Sequence, residues 1–126
     1  MKKTRVLPRM PFLKKLEALG MTRSLGARLR SFLADRHPGE QERIYHGLAH
    51  SCEVADLTAR MLASWPRVPK GRKILLILAA ALHDVDPHRP HGTPARVSAT
   101  IHYLENDPEA SALLADFGAR YAFTPA

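Results

Sequence analysis

Hydrophobic and polar positions follow a helical pattern over much of the N-terminal third of the chain. In residues 12–20 and again in residues 22–37, apolar side chains recur every three or four positions, as on one face of an amphipathic helix. The first pattern stops at Gly20 and the second runs into the turn sequence HPGE. Two helices are therefore predicted, following a lead-in, residues 1–10, that lacks periodicity.

The central part of the chain predicts two more helices. From about Gly47 to Ser64 the apolar residues fall near one side, whereas residues 72–83 are apolar nearly all round, which is typical of a helix buried on every side. A buried strand is the alternative for the second segment. Its Leu- and Ala-rich composition and the lack of a partner with β-branched alternation favour a central helix.

Proline positions predict where the last two helices begin. Thr93 before Pro94 has the composition of an N-cap and a first-turn proline, opening a helix through Leu104. Asp107 before Pro108 is a second N-cap followed by a first-turn proline, and it predicts the start of a helix over the sequence PEASALLADFGARY. The pattern as a whole predicts an all-α fold.

Composition narrows the class of protein. With 126 residues, of which 45% are hydrophobic, the chain suits a single domain, predicted over residues 11–126. The longest apolar run, residues 74–82, is about half of what a bilayer-spanning helix requires, so no membrane association is predicted. A lone Cys52 and no secretory leader pattern favour a cytoplasmic protein, with Cys52 a small buried side chain rather than a ligand or reactive thiol.

The net charge of +7 is concentrated near the N-terminus. Residues 1–36 carry ten Lys or Arg against two acidic residues, whereas residues 37–126 carry nine against ten. This asymmetry is compatible with attraction to nucleic acid and equally with a solvated, charge-rich helix face.

Histidines and aspartates form the main candidate for chemistry. His46 and His50 are four positions apart, so they share one face if the helix begins early enough. His83 and Asp84 close the apolar run, where an uncompensated carboxylate would be costly. A divalent cation bound by imidazole and carboxylate would compensate it; an ion pair with arginine or a solvated helix end are the alternatives.

Here the sequence resembles a known family. YHGLAH, followed by AAALHDVD with 33 positions between His50 and His83, and then by DPHRPHGTPARVSA, is similar to the HD superfamily of metal-dependent phosphohydrolases, in particular to small bacterial members. The resemblance covers about residues 43–106 and implies an HD-domain-like helical bundle.

Residue roles follow from this resemblance. It implies that His50, His83 and Asp84 bind a metal, and that His46 acts with Asp84 in catalysis, as a contact to the substrate phosphate or a general acid. The implied cofactor is a divalent ion (Fe, Mn, Zn, Co or Mg). Asp86 is a weaker candidate for the site, and weaker candidates for its substrate side are Arg89, His91 and Arg96, of which the arginines are alternatively solvated loop residues.

The function implied is hydrolysis of a phosphomonoester or a phosphodiester, including esters of nucleotides, by water activated by one metal ion or two. The alternative from another class is a catalytically degenerate HD-like module that binds nucleotide or nucleic acid through its basic N-terminal face. A third reading is an all-helical interaction domain with incidental histidines.

One feature departs from the family pattern. Related enzymes supply a further aspartate from a later helix, and Asp116 is the sole helical candidate here, at a short spacing. Three explanations compete: the chain is a fragment, which is favoured; Asp116 substitutes; or the site is degenerate. A homodimer is also expected to be possible, because a second copy would cover the segment Ile74 to Leu82.

Overall fold

The computed structural model describes residues 8–36, 48–87 and 96–122, and all regular secondary structure within these ranges is helical. The prediction of an all-α fold is confirmed. The helices are α1 (Pro11–Ala18), α2 (Arg23–Arg36), α3 (Leu48–Ala63), α4 (Lys70–Leu82), α5 (Val97–Asn106) and α6 (Pro108–Tyr121). No helix in the described ranges has the length and apolar character needed to cross a membrane.

Helix α4 lies at the centre of the bundle, as predicted. It packs against α3, α6 and α1, while α2 lies across α1 and α6, and α5 packs mainly on α6. The apolar stripes predicted from the sequence meet in one core, where Cys52 is buried as a small side chain. The largest fully buried apolar side chains are Phe12, Leu16, Leu29, Phe32, Leu33, Leu48, Ile74, Ile77, Val85, Leu113 and Phe117.

The predicted burial of α4 on every side is wrong. Ile77 and Leu78 face the core, but Leu76 remains 43% exposed and Ala79 is exposed as well. The reason lies in tertiary packing: α5 packs mainly on α6, so one side of α4 keeps an open apolar surface. Periodicity shows which positions are apolar and does not show which of them a neighbour covers.

Two glycines allow the chain to turn and to pack closely. Gly20, with a φ of 111°, ends α1 in the left-handed region, and the Met21 amide beside it donates to the carbonyl of Leu16 at 3.0 Å. A Cβ atom on Gly71 would lie 2.6 Å from the carbonyl oxygen of Tyr121. Glycine at position 71 therefore lets the end of α6 rest directly against the start of α4.

The predicted helix starts have different outcomes. Asp107 caps α6 as predicted: its carboxylate accepts a hydrogen bond from the Ala110 amide at 2.9 Å, and Pro108 is the first helical residue. The start predicted at Thr93 and Pro94, which lie outside the described residues, is placed too early. Helix α5 begins at Val97, because the residue before it, Arg96, has an extended backbone.

Candidate metal centre

The start of α3 and the end of α4 meet at one end of the bundle. His50 lies in the first turn of α3, and His83 and Asp84 directly follow α4. The two helices pack along each other and are joined by residues 64–69, so the beginning of the first lies beside the end of the second. This topology brings together residues that are more than thirty positions apart in the sequence.

The three side chains predicted as metal ligands form one cluster. The His83 Nε2 atom lies 3.1 Å from Asp84 Oδ2, and the His50 Nε2 atom lies 3.8 Å from the same oxygen. The two imidazole rings are tilted by 60°, with centroids 5.7 Å apart. One donor atom from each residue lies within 4.8 Å of the others, which is close enough for a single cation to be held between them.

A backbone hydrogen bond fixes the His83 ring. Its Nδ1 atom lies 2.6 Å from the carbonyl oxygen of Ala80, which can only accept, so Nδ1 carries the proton and donates it. The Nε2 atom of a neutral His83 then directs a lone pair toward the Asp84 carboxylate. The Nε2 lone pair and the carboxylate repel each other unless a proton or a cation lies between them. The donor set therefore fits a metal, with the tautomer set by an outer hydrogen bond, as is usual for metal-binding histidines.

Burial differs among the three candidate ligands. The Asp84 side chain is only 7% exposed, whereas His50 and His83 are 32% and 37% exposed. The alternative in which Asp84 is a solvated helix end is therefore wrong, because its side chain is buried, as are those of Leu82 and Val85 on either side of it in the chain. The Asp84 carboxylate is therefore shielded from solvent, whereas part of each imidazole ring is accessible to it.

Other residues predicted for the site do not join this cluster. Arg96 is exposed just before α5, and half-buried Asp86 lines a separate cavity of about 430 Å³ together with His102 and Asn106. The remaining predicted contacts, His46, Arg89 and His91, lie outside the described residues.

Asp116 is not part of the cluster either. Its Oδ2 atom lies 2.5 Å from Nη1 of Arg28 on α2, in an ion pair exposed on the surface. Helix α6 turns this face toward α2 rather than toward the start of α3. The explanation in which Asp116 completes the ligand set is therefore wrong for this arrangement.

A second charged cluster was only partly predicted from the sequence. Arg36 reaches both Asp107, at 3.3 Å, and Glu109, at 2.8 Å, and the Tyr103 hydroxyl donates to Asp107 at 3.2 Å. The Ala110 amide hydrogen bond is the main cause that lowers the pKa of Asp107, against an opposing effect of burial, and Arg36 lowers it further. Burial is the main cause that raises the pKa of Tyr103. The only signal in the sequence was the N-cap before Pro108.

Comparisons of the chain with protein-family models, with curated proteins and with solved structures found no match. Two imidazole nitrogens and one carboxylate oxygen form a donor set suited to zinc, iron, manganese or cobalt. Three protein ligands leave coordination positions for water and substrate.

Proposed function

We propose that His50, His83 and Asp84 bind one divalent transition-metal ion and that the protein hydrolyses phosphate esters with it. The observation that carries the proposal is the convergence of three ligand atoms within 4.8 Å, from two helix ends, around a buried carboxylate. The resemblance of the surrounding motifs to HD phosphohydrolases adds the reaction class. Magnesium is the least suited of the predicted ions, because it prefers octahedral oxygen ligands.

In the proposed reaction a water oxygen forms a bond to phosphorus while the bond between phosphorus and the ester oxygen breaks. The departing oxygen keeps the electron pair and takes a proton, giving an alcohol and inorganic phosphate. When bound, the metal would lower the pKa of a water ligand and polarise a phosphoryl oxygen.

The described residues supply binding and orientation. Asp84 provides a negative charge that stays shielded from solvent, and the carbonyl of Ala80 keeps the His83 Nε2 lone pair directed into the site. The exposed edges of His50 and His83 leave an approach for the substrate. His46, as a phosphate contact or general acid, remains a prediction.

The first test is the metal content of protein purified without chelator or immobilised nickel, with His83→Ala and His102→Ala in parallel. His102 is an exposed histidine on α5 that is not part of the cluster, and it serves as the matched control. We expect about one equivalent of transition metal in the wild type and in His102→Ala, and almost none in His83→Ala. Hydrolysis of p-nitrophenyl phosphate should follow metal content, stop with chelator and return when metal is restored.

The possible results separate the parts of the proposal. Equal metal in all three proteins would show that the cluster is not the binding site. Metal lost only in His83→Ala, but no turnover of any phosphate ester, would leave a metal site and remove the phosphohydrolase assignment. Polyanion binding that survives chelation and weakens steeply with salt would instead favour the basic binding module.

A further inference from the structure

An apolar groove lies between α4, α5 and α6. It has a volume of about 440 Å³, and its walls are aliphatic apart from His83 and Thr100. Leu75 and Leu82 on α4 face Ile101 on α5 across it. The groove includes Ala79, one of the exposed α4 positions that the sequence predicts to be buried.

The groove leads to the candidate metal centre. Its lining positions on and just after α4 are 75, 78, 79, 82 and 83, which form a single stripe along the helix. At 1.5 Å per residue this stripe is about 12 Å long. His83 is its last residue and also offers Nε2 to the metal cluster. A phosphate held at the cluster would therefore have the rest of its ester at the mouth of the groove.

Apolar side chains along the groove remain uncovered. Val97 is 74% exposed and Ile101 is 49% exposed, on consecutive turns of α5. Exposed apolar patches of this kind, next to a cluster of convergent polar groups, are characteristic of ligand sites. The volume also falls in the range of small-molecule pockets, about 300 to 1,000 Å³.

We propose that the groove holds the hydrocarbon chain of the substrate, and that the substrate class is phosphate monoesters of long-chain alcohols. This inference rests on the proposed phosphohydrolase function and narrows it. The products are then inorganic phosphate, released at the metal cluster, and a long-chain alcohol in the groove.

The chemistry of the walls disfavours a nucleoside in this position. A base and a ribose carry many hydrogen-bonding groups, and each would lose its water against aliphatic side chains without a replacement. The single hydroxyl on the wall belongs to Thr100, which is 5% exposed and whose Oγ1 atom has no hydrogen-bond partner among the described residues. One hydroxyl cannot replace the hydrogen bonds that a base makes with water, whereas a hydrocarbon chain has no hydrogen-bonding groups to satisfy.

The test is a chain-length series of butyl, hexyl, octyl and decyl phosphate, with adenosine monophosphate for comparison, all below their micelle concentrations. We expect KM to fall about threefold to fourfold for each added methylene, with kcat nearly constant, because the chain is buried away from phosphorus. Adenosine monophosphate should be no better than butyl phosphate. Equal KM values across the alkyl series would overturn the inference even if p-nitrophenyl phosphate is hydrolysed.

A pair of matched variants tests the position of the chain. Ile101→Asn places an amide in the groove and should make the total fall in KM over the series about tenfold smaller, because the alkyl chain then lies against an amide without a hydrogen-bond partner. Leu57→Asn is the control: Leu57 is 45% exposed on α3 and does not line the groove. A dependence on chain length that is unchanged in Ile101→Asn, or reduced equally in Leu57→Asn, would overturn the inference.

A binding measurement separates this inference from the proposed function. Alkyl phosphonates carry a carbon–phosphorus bond that the proposed hydrolysis does not break, and their affinity can be measured by calorimetry with metal-loaded and metal-free protein. Affinity that rises with chain length in both forms supports the groove, even if no phosphate ester is turned over. The inference would be overturned if affinity did not depend on chain length and if the protein formed a dimer that Ile101→Asn dissociates. Those two results together would show that a second copy covers the groove.

Discussion

Asp84 and Asp107 are both carboxylates at helix ends with little exposed side chain, 7% and 15% respectively. Asp107 is surrounded by groups that bring their own protons: the amide of Ala110, the hydroxyl of Tyr103 and the guanidinium of Arg36. Such a cluster is complete as it stands, because each contact is already a hydrogen bond or an ion pair.

The surroundings of Asp84 have a different character. Its close contacts include two imidazoles, from His50 and His83, and the ring of His83 has its proton committed to Ala80. An imidazole can turn a lone pair toward a shared point, whereas an amide or a guanidinium cannot. Asp84 and Asp107 are similarly buried, so it is the partners of a buried carboxylate that distinguish a structural cluster from a candidate ligand site.

The largest effect that the comparison predicts is the loss of metal from Asp84→Asn. We expect metal affinity to fall by about 100-fold or more, because even the loss of a residue that only orients a metal ligand costs about 10- to 100-fold. At a metal concentration 100 times the wild-type dissociation constant, bound metal should stabilise the wild type by about 2.7 kcal/mol and Asp84→Asn by very little. Urea unfolding with and without metal measures both values.

The equivalent change in the other cluster is the control. Asp107→Asn should keep the wild-type metal affinity, because Asp107 belongs to a cluster already complete without metal. Equal losses of metal from Asp84→Asn and Asp107→Asn would remove the distinction between the two carboxylates.

The next effect in size is the loss of stability in Asp107→Ala. This substitution removes the N-cap of α6 and one partner of Arg36, and we expect the free energy of unfolding to fall by about 2 kcal/mol. Urea unfolding of the metal-free protein provides the measurement. A change smaller than about 0.5 kcal/mol would mean that the network contributes little to the fold.

The pH dependence of Asp107 should be smaller, and its direction follows from the lowered pKa. The folded-state pKa lies below the ordinary value of 3.8, so the carboxylate stabilises the fold above that value and loses its contribution as the pH falls through the folded-state pKa. Compared with Asp107→Asn, the wild type should be more stable by about 1 kcal/mol at neutral pH. This difference should shrink only in the acid range below about pH 4. A difference that instead changes between pH 6 and 8 would contradict the assignment.

The sequence predicted features that depend on local spacing. The 3.6-residue period located the helices, and the Asp107 and Pro108 pair marked the start of α6, because a cap and its helix are neighbours in the chain. The grouping of His50 with His83 and Asp84 was predicted from motif spacing together with the family resemblance, and the packing of α3 against α4 produces it.

Features that depend on packing between distant segments were not predictable. Arg36 and Asp107 are 71 positions apart, and no local pattern pairs them. The exposure of Leu76 on α4 was not predictable, because an exposed and a buried leucine look alike in a sequence and differ only in whether a neighbouring helix covers them. The start of α5 was placed too early because proline preferences cannot show that Arg96 is extended.

The smallest predicted effect is that of Asp116→Asn. This variant also tests whether an exposed carboxylate outside the cluster contributes to metal binding. The ion pair of Asp116 with Arg28 is exposed on both sides, at 52% and 42%, so Asp116→Asn should change the free energy of unfolding by no more than about 0.5 kcal/mol. Metal affinity should stay at the wild-type value, since Asp116 faces α2 and not the cluster. The same titration used for Asp84→Asn gives the answer. A tenfold loss of metal affinity in Asp116→Asn would mean that α6 reaches the metal in solution, and that exposure alone is a poor guide to which carboxylates bind it.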